Sequence, residues 1–173
     1  MARPSRFRAD ARASITVEFA LVAPVMVTML FGSISAARLV RASIKTWNVA
    51  QSLGDLVAQQ TTLTASAMTD FCAGGRLTLA PFTGALTATV ASVTFGASGT
   101  RAVDWQDTTC GGAALSNALA LGTPYTPNPG DSVVVVQATY VYTFPPSYVL
   151  PSSFTLTRTT YSRPRAGTTV GHA

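Results

Sequence analysis

A chain of 173 residues with 47% hydrophobic and only 11% charged residues has room for one small folded domain beside an apolar segment, and carries less charge than an ordinary soluble domain. Its net charge of +5 does not point to nucleic acid. Arg3, Arg6, Arg8, Arg12, Arg38, Arg41 and Lys45 all flank one apolar stretch, and from residue 46 onward five arginines face five aspartates, so the rest of the chain offers no basic stripe for phosphates.

The first element is that apolar stretch. Residues 19–37 are 19 positions without a formal charge, close to the roughly 20 that a helix needs to cross a bilayer core. The run exceeds the 7–15-residue core of a cleaved secretory signal. Small residues at Ser33-Ile34-Ser35 and Ser35-Ala36-Ala37 leave such a cleavage as an alternative, and we read a retained single span over about 15–37. Four arginines precede it and three basic residues follow it, a weak bias toward a cytoplasmic N-terminus. The cysteines and the Thr/Ser-rich character downstream tip the orientation toward an exported C-terminal body. Pro24 lies inside the span and should bend it locally.

Glu18 stands at the entrance of this span. A charge at mid-bilayer costs about 2.5–3.5 kcal/mol and less near the edge. One reading is an acid that reaches for the interface at a helix N-terminus, where the dipole favours it. The other is a carboxylate that awaits a positive charge from a neighbouring helix.

Past the span, Val40, Ile44, Trp47, Leu53, Leu56 and Val57 recur at near-helical spacing and extend the helix to about residue 64. Gly54 weakens it by about 1 kcal/mol relative to Ala. Trp47, about 15 Å beyond Ala37 at the helical rise, is expected to pack on a sheet, with a membrane-interface anchor as the alternative. After Thr64 the pattern turns to period two. Residues 86–96 and 100–106 form a hairpin signal around Gly96-Ala97-Ser98-Gly99. Residues 132–144 begin with four consecutive valines, the mark of a strand buried on both faces, and stop at Pro145-Pro146. Residues 153–163 alternate again. The segment 111–122 reads as a short helix or a loop, and 164–173 as a flexible tail. The fold class is thus α+β: a long N-terminal helix on a small four-stranded antiparallel sheet occupying 65–163.

Cys72 and Cys110 lie 38 positions apart in the exported part. A lone pair there reads as a disulfide, with two free buried thiols as the alternative. Catalytic signals are weak. His172 falls in the expected tail, so no Ser-His-Asp or Cys-His set has a positioned base. Asp104 and Asp107 flank Trp105 and read as a solvated rim. No phosphate-binding glycine motif and no His-Glu-x-x-His occurs. We therefore expect no enzyme, no cofactor and no metal site.

The residues that carry a family resemblance are "ASITVEFALVAPVMVTMLFG" at 13–32. This stretch resembles the N-terminus of TadE-like proteins, minor pseudopilins of the Flp (Tad) pilus machinery. "GDLVAQQTTLT" (54–64), "AVDW" (102–105) and the pair "DSVVVVQATYVYTFPP" and "FTLTRTTYSRPR" resemble later parts of the same family, so that most of the chain is covered. The Glu18-Phe19 pair is the most specific element. The resemblance implies a basic leader, residues 1–13, cut by a prepilin peptidase after Ala13. Ser14 would become the new N-terminus, with Glu18 as its fifth residue. Ala13 stands where the family usually has Gly, which leaves an uncut anchor and periplasmic scaffold as the alternative. Cutting would lower the net charge from +5 to +2. The implied partners are the peptidase, other pilins and pseudopilins, inner-membrane platform proteins, a cytoplasmic ATPase and the lipid bilayer.

Overall fold

The computed structural model describes residues 11–121, 128–144 and 153–173. The chain forms two bodies, one ending at Val40 and one comprising Arg41–Ala173. Among the described residues nine elements follow in order: helix α1 (Ala11–Ala58), strand β1 (Thr62–Leu63), helix α2 (Ala65–Leu79), strands β2 (Leu86–Phe95) and β3 (Arg101–Asp107), helix α3 (Ala118–Leu121), and strands β4 (Ser132–Thr143), β5 (Ser153–Ser162) and β6 (Gly171–His172).

The sheet is antiparallel in the order β3-β2-β4-β5, as the alternating segments predict. A bulge between Ser92 and Val93 shifts the register of β3, which lets Asp104 reach back to the hydroxyls of Ser92 and Thr94. The valine run behaves as its composition requires. Val133, Val134, Val135 and Val136 are all fully buried, because β4 is a central strand with protein on both faces. One face packs Val93, Phe95, Val133 and Val135 under Val103 and Leu121, continued by Ala91, Leu115 and Ala118. The segment 111–122, left between helix and loop by its sequence, contributes α3 to this cover.

The opposite face meets the second half of α1. A side chain at Gly54 would stand 2.7 Å from Ser162 Oγ and 3.6 Å from Thr160 Oγ1. The glycine that weakens the helix is what lets β5 approach it. Ala42, Thr46, Val49, Ala50, Leu53 and Val57 turn inward and are buried. Leu53 and Val57 lie on this face as the sequence pattern expects, and the other four residues expected there do not. Trp47 is 47% exposed, and Val40, Ile44 and Leu56 also face outward. Close packing of a helix on a sheet selects small and β-branched residues for the inner face, so the larger side chains are left on the outer one.

Two further expectations are revised. α1 ends at Ala58 rather than 64, and the following segment, read as the start of a β domain, carries the 15-residue α2. Thr64 caps it, its hydroxyl accepting from the Ala67 amide at 3.3 Å. Met68, Cys72, Gly75 and Leu79 make its buried stripe, and Gly75 brings it within van der Waals reach of Val49 and Leu53 of α1. Residues 164–173 are no frayed tail. The Arg165 amide donates to Ala58 O, Gly171 to Thr61 O and Ala173 to Leu63 O. β6 therefore runs parallel to β1, with Val170 buried beneath it.

Candidate functional site

The N-terminal part of α1 is built for lipid. From Ile15 on, the helix is long and apolar enough to cross a membrane, and its large side chains face outward, with Phe19 71% exposed. Two of its hydroxyls are absorbed locally. Thr28 Oγ1 donates to Val25 O and Ser33 Oγ to Leu30 O, each at 2.8 Å, so these hydroxyls need no partner from the bilayer. Pro24 sits within the helix and removes one backbone donor.

Ala13 and Ser14 lie in the first turns of α1, and their side chains fall outside the described residues. Glu18 follows Ser14 by a little over one helical turn, with Phe19 beside it. Among the described residues no side chain meets the Glu18 carboxylate, which is exposed. The structure thus brings the four expected residues onto one end of one helix. Cys72 and Cys110 are joined in a disulfide with a Cα–Cα distance of 5.4 Å, which resolves the choice between bridge and free thiols. The bond ties α2 to the end of β3.

The structure also assembles a site that the sequence reading placed on a rim and in a tail. The Asp107 side chain, only 3% exposed, lies 3.0 Å from His172 Nε2 and accepts from the Thr109 amide at 2.8 Å. The His172 ring stacks on Trp105 with centroids 5.1 Å apart, and Trp105 Nε1 donates to Val170 O at 2.8 Å. Burial pushes the Asp107 carboxyl upward. The hydrogen bond from His172 and those from Thr109 outweigh it, and the net shift is below the usual carboxylate range. This is a clasp holding the last residues to the sheet edge. A separate cleft of about 310 Å³ lies over β2 and β4, where Thr87, Thr89, Ser116, Asn117, Gln137 and Thr139 present hydroxyls and amides. Among the described residues no three His, Cys, Asp or Glu side chains cluster as metal ligands.

Among the described residues, one helix long and apolar enough to cross a membrane, joined to a disulfide-tied α+β body, fits a single-pass membrane protein. Residues 13–55 match the family of TadE-like proteins, a stretch that covers the apolar helix and its continuation and stops before the sheet. No curated protein and no solved structure matches the chain.

Proposed function

We propose that the chain is a minor pseudopilin, or pilus-assembly protein, of a Tad system. The observation that carries this reading is the family match beginning at residue 13, the residue after which the leader would be cut. A prepilin peptidase acting between Ala13 and Ser14 would leave a cationic α-amine at Ser14. In a lipid environment the Glu18 carboxylate and the Ser14 amine of an adjacent subunit neutralise each other as their helices pack. Each charge alone would be costly there, and the pair relieves both. The N-terminus is cytoplasmic, the span lies in the inner membrane, and the sheet faces the periplasm or other minor subunits. The outward stripe of Val40, Ile44 and Trp47 offers those subunits an apolar ridge at i, i+4 and i+7.

N-terminal sequencing of the membrane-purified protein tests the cut. A chain starting at Ser14 supports the reading, and one starting at Met1 or Ala2 refutes it. Glu18→Gln should insert and be processed normally yet fail to assemble. Undiminished assembly by that variant would remove the role given to the carboxylate. Ala13 in the place of Gly favours a second reading, an uncut anchor serving as a periplasmic scaffold, for which Glu18→Gln would be silent.

A further inference from the structure

The Arg41–Ala173 body has two chemically different ends. Their order follows from the packing of α1. Arg158 donates to Ser43 Oγ, and Gly54 abuts Thr160 and Ser162. Descending along α1 toward Arg41 therefore means descending along β5 toward Phe154. α2 runs the other way, with Gly75 beside Val49 and Lys45 Nζ donating to Thr78 O at 3.1 Å. Its last turn reaches the same end.

At this end the aromatic residues gather. Phe82 packs on Tyr140 and Tyr142, Tyr142 on Phe144, and Phe144 on Phe154, with centroids 4.9–6.4 Å apart. Phe154 of the cluster is 46% exposed, and Leu77 near the end of α2 is 78% exposed. Lys45 bonds to the last turn of α2, which carries Arg76, and Arg158 bonds to Ser43, two residues beyond Arg41, so these four cations lie toward the same end. Every carboxylate of this body lies away from it. Asp55 pairs with Arg165 and Asp131 with Arg163. Asp104 sits by Thr94, Asp107 by His172, and Asp70 in the N-terminal half of α2.

The chain enters this body at Arg41, four residues after the uncharged run ends at Ala37. At the helical rise that is about 6 Å, within the roughly 5–7 Å depth of one headgroup layer. Apolar rings interleaved with cations, and no acid, are what that layer accepts. We propose that this end of the body is seated on the bilayer. Phe154 and Leu77 enter the interfacial region, and Arg41 and Arg76 meet lipid phosphates. The proposal rests on residues 15–37 spanning the membrane.

The test uses the full chain, with Trp47→Phe and Trp105→Phe, in vesicles of phosphatidylcholine and phosphatidylglycerol carrying bromine near the headgroup end of the acyl chains for the probes at 154 and 97, and near their methyl end for the probe at 26. One tryptophan is introduced at a time: Phe154→Trp at the aromatic end, Ala97→Trp in the β2–β3 turn at the opposite end, or Met26→Trp in the span. We expect the tryptophan at 154 to be blue-shifted and quenched by the bromolipid, and that at 97 to be unaffected. Adding Arg41→Gln and Arg76→Gln should reduce the quenching at 154, because each basic residue near an anionic surface is worth about fivefold in occupancy. Quenching at 26 without quenching at 154 overturns the seating alone. Quenching at neither overturns the membrane span with it. Emission at 154 that is blue-shifted but insensitive to bromolipid places the cluster against protein, and overturns the proposal in favour of a partner chain.

Discussion

Removing the Cys72–Cys110 bridge should cost the folded body much of its stability. The two cysteines are 38 positions apart and both are buried. Freeing a loop of that length returns about 4 kcal/mol of chain entropy to the unfolded state, against a total of about 5–15 kcal/mol for an ordinary domain. α2 is held besides by its buried Met68 and Leu79, by the approach of Gly75 to Val49 and Leu53, and by one bond from Lys45. The variant Cys72→Ala/Cys110→Ala, as full chain in detergent micelles, should be compared in urea with oxidised and reduced parent protein. Trp105 emission in a Trp47→Phe background reports on the body, because its indole bonds to Val170 O. With a denaturant slope of about 2 kcal/mol per molar, the midpoint should fall by about 2 M, and the reduced parent should match the variant. A midpoint within about 0.5 M of the oxidised parent would refute the reasoning, since the bridge would then constrain nothing that the remaining contacts do not.

Gly54→Leu should destabilise by about 1–3 kcal/mol in the same assay, through overpacking against Ser162 and Thr160, while Gly54→Ala should cost less because Ser162 can rotate away. The Asp107 carboxyl is held below its ordinary range in the folded state. Its contribution is present above the unfolded value of about 3.9 and is lost as pH falls through the lower folded value. Asp107→Asn should therefore lower stability near neutrality and flatten the acid limb of a stability–pH curve. An unchanged limb would show that other groups set it. Deleting residues 170–173 should red-shift Trp105 emission by removing the His172 ring and the Val170 carbonyl, whereas Gly32→Ala, where an added Cβ meets nothing within 4 Å, should leave the urea midpoint of the Arg41–Ala173 body unchanged.

The sheet was legible because each of its strands declares itself locally. Val133–Val136 is a run no other element would carry, and residues 86–95 and 153–162 alternate. The apolar helix was legible for the same reason. α2 was missed although Thr64 supplies a cap and Met68, Cys72, Gly75 and Leu79 recur at helical spacing; Gly74-Gly75 and the following Pro81 hid the pattern. On the inward face of α1, Leu53 and Val57 are legible from their size, whereas Ala42, Thr46 and Ala50 are not, because close packing on the sheet favours small side chains there. The clasp left no local trace. β1 and β6 are two residues each, too short for any periodicity, and Asp107 and His172 acquire meaning only when the fold brings them 3.0 Å apart. Among the candidate site residues, Glu18 and Phe19 stood out because an acid opening an apolar run has to be explained, while the disulfide could be suspected from a lone cysteine pair.

The parallel pairing of Thr62–Leu63 with Gly171–His172 imposes an order of events. Asp55 and Arg165, which meet beside it, are 110 positions apart. A polypeptide emerges from the ribosome N-terminal end first, so β1 waits, edge bare, while all four long strands are made. The belt is buckled only after residue 173 arrives. Until then Leu63, Trp105 and Asp107 stand open, and any quality-control factor that samples unfinished chains has a defined place to look.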